Sequence, residues 1–367
     1  TFDFNQEPMT QLVVGMSQLI PRGDTRALSS RKLAQEGGQQ PLLRADRQAQ
    51  VRLVVSQLWL DAWKAQHSMA LIEQSRALFE QLEEVATSSY VSVLGRTRQQ
   101  DLVRAQLELT QIDDRQILLQ QQYAAFRQRL AEWLLQLSED QGITQPMADI
   151  ELAQALPQLA LPDAAPVSRS ASSADEQMLA RLFMRHPAVQ VLERQIDIAH
   201  TDVELAQQQY QPQWGLNASY GYRGDDAVGR DRTDFISVGV SLDLPLFSTR
   251  KQDSGVEAVS ARAEAIKTER LLKLRQMIAG FRTAQAQLVR MDKRLALYRE
   301  RLLPQSKETV QAALNAYTTD TGDFAEVVRA RITELNAQLA ELDIAVEQQK
   351  QIAQLNYFLA SSAPEGE

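Results

Sequence analysis

Phe235-Ile236-Ser237-Val238-Gly239-Val240-Ser241-Leu242-Asp243-Leu244-Pro245-Leu246 alternates apolar and small or acidic residues almost without exception. Ile236, Val238, Val240, Leu242, Leu244 and Leu246 share one face, and Ser237, Gly239, Ser241 and Asp243 share the other. A period of two is the side-chain period of a β-strand. Just upstream, residues 212–223 set Trp214, Leu216, Ala218, Tyr220 and Tyr222 against Gln213, Gly215, Asn217, Ser219 and Gly221. The stretch 224–232 between the two runs is rich in Gly and Asp and reads as an exposed hairpin loop. Leu12, Val14, Met16 and Ile20 repeat the alternation near the N-terminus. Each run approaches the length of a membrane-crossing strand, and an apolar face opposed to a small polar one predicts the wall of a transmembrane barrel. The competing reading is a half-buried strand of a soluble sandwich, which would need many more strands than three.

The chain repeats itself. Val14-Gly15-Met16-Ser17 through Ile20-Pro21 returns as Val238-Gly239-Val240-Ser241 through Leu244-Pro245, 224 residues later. Asp101-Leu102-Val103-Arg104-Ala105 returns as Glu326-Val327-Val328-Arg329-Ala330, 225 residues later. Two unlike elements keeping step over such a distance predict duplication of one strand-plus-helical-hairpin unit.

Between the strands lie long segments with coiled-coil spacing. One carries Leu119, Tyr123, Phe126, Leu130, Trp133 and Leu137; a second carries Leu271, Leu274, Ile278, Phe281, Leu288, Met291, Leu295, Tyr298 and Leu302. A third carries Ile332, Leu335, Leu339, Leu342 and Val346, and a fourth Val51, Val54, Leu58, Ala62, Ala65, Met69 and Ile72. From 247 to 317 the only breaker is Pro304, so a helix of about 100 Å is expected at ~1.5 Å per residue. Helix turns are expected at 91–97 and 318–323, side by side at the end farthest from the strands. A further helical stretch is expected over about 175–211. Residues 141–173 hold Pro146, Pro157, Pro162 and Pro166 without a sustained period and read as the hinge between halves.

Composition narrows the function. A net charge of −8 lacks the electrostatic footprint of a nucleic-acid binder. There are 0 Cys, and His67, His186 and His200 are too scattered for a zinc-type site. Neither His186 nor His200 sits in a nucleophile motif, both are expected on helix surfaces, and no catalytic, cofactor or metal site is expected. The 8 Met residues are dispersed and read as core packing. No apolar run approaches the ~20 residues of a membrane-spanning helix. Thr1 is not a natural start, which predicts a processed or truncated chain.

Taken together, these residues resemble the TolC-type outer-membrane efflux channels. The carriers are His186-Pro187-Ala188-Val189 with Tyr210-Gln211-Pro212-Gln213-Trp214, then Val238-Gly239-Val240-Ser241 through Leu244-Pro245-Leu246-Phe247, then Gly322 through Glu326-Val327-Val328-Arg329-Ala330. Glu7-Pro8-Met9-Thr10 and Pro21-Arg22-Gly23 are similar to the branch that serves heavy-metal exporters, the CzcC and CusC type. The resemblance implies a mainly α fold with a small β part. Long antiparallel coiled-coil helices would form a trimeric α-barrel joined to transmembrane β-barrel strands. It implies a homotrimer in the outer membrane of a Gram-negative bacterium, helices in the periplasm, contacting a periplasmic adaptor and an inner-membrane exporter of the resistance-nodulation-division type. The function implied is a passive conduit for export, not an enzyme, with heavy-metal cations as cargo; the alternative is a soluble coiled-coil scaffold or adhesin with a small β cap. Residues 1–140 would be the first repeat, 141–173 the linker, 174–361 the second repeat and 362–367 a tail. A helix and a strand matching 175–223 are expected ahead of residue 1, where the lipid-bearing Cys common in the family would lie.

Two sets of candidate residues follow. Trp214, Leu216, Tyr220, Tyr222, Val238, Val240 and Leu242 are expected to face lipid, with Asn217, Ser219, Ser237 and Ser241 toward the lumen. Asp101, Arg104, Asp320, Asp323, Glu326 and Arg329 cluster at the expected turns near Arg96 and Arg98. Acidic residues in a first helical turn can be ordinary caps. In a trimer an axial carboxylate is triplicated into a ring that selects cations, so the cluster is also a candidate periplasmic gate.

Overall fold

The structure is a computed structural model that describes residues 10–91, 99–134, 136–138, 142–145, 152–162, 173–225, 228–244, 249–319 and 321–361. It is mostly helical with a small sheet. In chain order come β1 (Leu12–Ile20), α1 (Thr25–Val91), α2 (Gln99–Leu134), β2 (Gln136–Ser138), β3 (Gly142–Gln145), α3 (Ser173–Phe183) and α4 (Pro187–Gln207). Then follow β4 (Gln213–Tyr222), β5 (Phe235–Asp243), α5 (Arg250–Leu297), a π-helical turn at Tyr298–Leu302, α6 (Leu303–Thr318) and α7 (Phe324–Phe358). No helix among the described residues is long and apolar enough to cross a membrane.

The chain divides into two compact units. The first holds Thr1–Ala45 and Pro187–Leu274, and with them the sheet β1-β4-β5. Both pairings are antiparallel, with Val14 opposite Tyr220 and Leu216 opposite Val240. The entry from β1 into α1 turns at Gly23, whose φ is +44°; a Cβ there would lie 2.3 Å from Gln208 Oε1. Gln208 Oε1 in turn accepts a hydrogen bond from the Asp24 N–H. In the same unit Lys32 pairs with Asp202 at 2.7 Å, and the Gln39 side-chain amide donates to the Val191 carbonyl.

The second unit holds Asp46–His186 and Arg275–Glu367. Its core is laid along the heptad seams. Ile72 and Phe79 of α1 meet Ala105 and Ile112 of α2 and Phe324, Val328 and Leu335 of α7. Farther along, Leu58, Ala62 and Trp63 pack with Leu130, Leu152 and Val346. The stretch 152–162 is strapped onto these helices by side chains: the Trp63 indole N–H donates to Ala153 O at 2.8 Å, and Asn356 Nδ2 donates to Ala160 O at 3.0 Å.

Several sequence expectations shift. The seam of α5 buries Met277 rather than Ile278, and Leu271 is 54% exposed; Phe281 and Leu288 hold their places. Leu137 does not extend the α2 stripe but falls in β2, which pairs with β3. The helical stretch expected over 175–211 is broken into α3 and α4, because Pro187 has no N–H to continue the hydrogen-bond ladder of α3 but suits the first position of a new helix, where none is needed. His186, expected on a helix surface, is 1% exposed at that break, its Nε2 2.9 Å from the Tyr357 carbonyl. The sequence around it offered no period that would have marked it as buried.

Candidate functional site

The sheet sorts its side chains as strand geometry dictates. Leu12, Val14, Met16, Gln18 and Ile20 lie in register with Tyr222, Tyr220, Ala218, Leu216 and Trp214, and these with Ile236, Val238, Val240 and Leu242. One side is therefore a nearly unbroken apolar surface across three strands. It is solvent-open in the single chain: Val238 is 79% exposed, Met16 79%, Val240 64% and Val14 66%. All seven residues expected to face lipid share this side. Monomers rarely expose contiguous apolar patches of this extent, and such a face marks a surface that packs against a protein or a membrane.

The opposite side carries Gly15, Ser17, Asn217, Ser219, Ser237, Gly239 and Ser241. Small size is enforced locally, because a Cβ on Gly215 would lie 2.4 Å from Ser241 Oγ. Val13 and Phe235 flank Gly221 on this side, and the Arg223 guanidinium lies 5.0 Å from the Phe235 ring centre.

The two ends of the sheet differ. At one, Arg232 holds the β4–β5 loop closed by donating to the carbonyls of Gly224 and Asp225, and Tyr220 bonds Asp234. At the other, Arg22 pairs with Asp243 and donates to the Gln211 carbonyl at 2.8 Å, tying the exits of β1 and β5 to the entry of β4. Beside it Asp253 accepts hydrogen bonds from the Tyr210 and Thr249 hydroxyls, which hold its carboxyl below and the Tyr210 phenol above their ordinary values. Arg22 stood in a motif picked out above, but its partner 221 residues away could not be read from spacing.

The second candidate set lies in the second unit. Among its members the side chains of Asp101 and Asp320 fall outside the described residues. Arg104 is exposed on α2, and Glu326 and Arg329 are exposed on α7. Asp323 caps α7, accepting from the Ala325 N–H, while Arg329 Nε donates to the Ala325 carbonyl one turn back in its own helix. The turn before α7 closes on Ala316, whose carbonyl accepts from the N–H groups of Thr321 and Gly322. Ala105 packs with Phe324 and Val328, so the start of α2 and the start of α7 lie together. The equivalent turn of the first hairpin is outside the described residues. Among the described residues no group of His, Asp and Glu is placed to hold a metal ion.

Residues 178–361, half of the chain, match the family described as outer membrane efflux protein. A comparison with curated proteins gave no match. Among solved structures the fold is similar to the outer membrane protein VceC from Vibrio cholerae, with a TM-score of 0.74 and 14% identity over 96% of this chain and 79% of that one. It is similar to the Campylobacter jejuni CmeC outer membrane channel, with a TM-score of 0.75 and 11% identity over 97% of this chain and 72% of that one. It is also similar to CusC, with a TM-score of 0.73 and 13% identity over 96% and 83%. At these identities the likeness is one of fold.

Proposed function

This chain belongs to the outer membrane efflux protein family, and we propose that it is one subunit of a trimeric channel that lets solutes leave a Gram-negative cell through the outer membrane. The observation that carries the reading is the bare apolar face of β1-β4-β5 backed by a small polar face. Trp214 stands near the helical end of that face and Tyr220 and Tyr222 near the loop end, with Trp214 and Tyr222 about 27 Å apart along the strand at ~3.4 Å per residue. At a strand tilt of ~40° that length spans about 21 Å of height, on the scale of the ~25 Å apolar band with aromatic residues at both rims.

Assembly of copies sets a condition on the same reading. β1 and β5 both run opposite to β4, so copies joined directly edge to edge would meet as parallel pairs. A wall that is antiparallel throughout takes an even number of strands from each copy. On the helices, Val103, Leu107, Ile117 and Leu118 of α2 remain exposed, as do Leu297 and Leu302 at the end of α5 and beyond. These surfaces suit head-to-tail contacts that close into a ring. We assign the charged residues at the distal helix ends to the periplasmic gate, and the helices to contacts with a periplasmic adaptor and an inner-membrane exporter.

For cargo we propose heavy-metal cations, on the strength of Glu7-Pro8-Met9-Thr10 and Pro21-Arg22-Gly23. Purification from membranes and reconstitution in planar bilayers tests the channel. A trimer needing detergent and giving single-channel currents supports it; a monodisperse protein soluble without detergent would leave the scaffold reading. Deleting the coding sequence and scoring tolerance to copper, zinc and cobalt tests the cargo separately.

A further inference from the structure

The seam that α5 turns toward its partners runs Met277, Phe281, Ala284, Leu288, Met291, Leu295 and Tyr298, in steps of four and three. A strict seven-residue repeat would carry it on to Leu302, Gln305, Thr309 and Ala312. Those four are exposed, and the buried positions are Ser306, Val310 and Ala313, the last three each one residue late. The chain therefore holds one residue more than the repeat allows. That residue is stored in the π-helical turn Tyr298–Leu302, immediately before Pro304. A π-turn of this kind accommodates a single extra residue without disturbing the flanking α-helix.

Among the described residues of the first hairpin no π-turn occurs. Ala65, Ser68, Ile72, Ser75, Phe79 and Leu82 follow steps of three and four, all buried or half-buried, inside an α1 unbroken from Thr25 to Val91. The two hairpins also differ in what holds them. α7 is tied to the first hairpin through Phe324, Val328 and Leu335 against Ile72, Phe79, Ala105 and Ile112. The core of α6 is the small cluster of Val310 and Ala313 with Val327 and Ala330 of α7, edged by Leu82 of α1 and by Tyr317, whose ring meets Phe324 at 5.7 Å. Below the π-turn, α5 has a cluster of its own in Leu295 with Ile344 and Ala345. Between the two clusters stand an exposed Leu302, a proline without an N–H, and a surface ion pair from Arg299 to Glu341 at 2.7 Å.

We propose that the π-turn is a pivot at which α6, with the tip residues it carries, swings on α7 while α7 stays with the first hairpin. The proposal rests on the channel reading, in which this motion opens the distal entrance. The stored residue lets α6 bend without pulling either seam out of register.

Deleting Glu300 tests it. Removing one residue converts the π-turn to regular α-helix and leaves both seams facing α7, so the variant should assemble as the native oligomer does. Openings in planar bilayers should fall about tenfold or more, since bending would now break an intact helical turn. Native opening frequency in an assembled variant would overturn the pivot. A wild-type protein without any current would instead count against the channel, and the pivot is then read in detergent by spin labels at Lys293→Cys and Thr309→Cys. That pair should give a broad or two-peaked distance in the full chain, against one narrow distance for Ala70→Cys with Glu84→Cys on α1. One narrow distance for both pairs overturns the pivot, whether or not the deletion variant folds.

Discussion

Asn217 and Gly239 face each other across β4 and β5, and a Cβ on Gly239 would lie 2.5 Å from Asn217 Oδ1. The side-chain amide lies flat over the glycine, which keeps the small polar face of the sheet low. Gly239→Val should destabilise the folded oligomer by about 1–3 kcal/mol through overpacking. Asn217→Ala in the same chain should recover part of that loss, because the clash is with a side chain and not with backbone. A double-mutant cycle of thermal melting in detergent reads the coupling, and strictly additive effects would show that the contact is not held in solution.

Val240 and Ser241 are neighbours on opposite faces of β5. Val240→Arg should cost ~2–4 kcal/mol if Val240 sits near the bilayer midplane, and should reduce the yield of assembled protein in membranes. Ser237→Arg, toward the small polar face, should assemble and change only conductance. The reverse ranking would mean that the faces are exchanged, since a slip of one residue turns every side chain over.

Lys350 of α7 lies 3.1 Å from Asp61 of α1 with Glu347 at 3.5 Å. Burial pulls the ammonium pKa down, but the hydrogen bond and charge of Asp61, aided by Glu347, outweigh it and hold it above its ordinary value. A base with a raised folded pKa adds stability that is present below its unfolded value and lost as pH rises through the folded one. Melting temperature should therefore fall at strongly alkaline pH by more in wild type than in Asp61→Asn. The variant should lose about 1–3 kcal/mol near neutrality, as a half-buried ammonium loses its partner. Parallel alkaline profiles for the two would remove this pair from the account.

Asp323 both caps α7 and stands in the proposed gate. Asn caps a helix as well as Asp does, whereas Ala costs about 1 kcal/mol. Asp323→Asn should thus keep the melting temperature and weaken cation preference in reversal-potential measurements. Arg104→Ala with Arg329→Ala should raise single-channel conductance with little change in stability, because exposed pairs are worth ~0–1 kcal/mol each but recur in every copy. Wild-type selectivity and conductance in all these variants would reduce the cluster to solvated caps.

Gly280 leaves room for a ring: a Cβ there would lie 2.6 Å from Phe358 Cζ, in the group where Phe183, Phe281 and Phe358 meet. Gly280→Ala should cost about 1–3 kcal/mol although alanine is the better helix former. A gain in melting temperature would mean that Phe358 moves aside freely.

What the sequence determined by itself is whatever a local period controls. Alternation fixed which residues of 213–222 and 235–243 share a face, because successive side chains on a strand must point to opposite sides. Seven-residue spacing likewise placed Leu58, Ala62, Leu130, Leu335 and Val346 in buried or packed positions. The tertiary structure decided what depends on distant partners. It set β4 between β1 and β5, moved the α5 seam to Met277, buried His186 against Tyr357, and used the π-turn before Pro304 to bring Val310 and Ala313 back to α7. None of these follows from a neighbour three or four residues away, since each is settled by which surface, far along the chain, a side chain finally packs against.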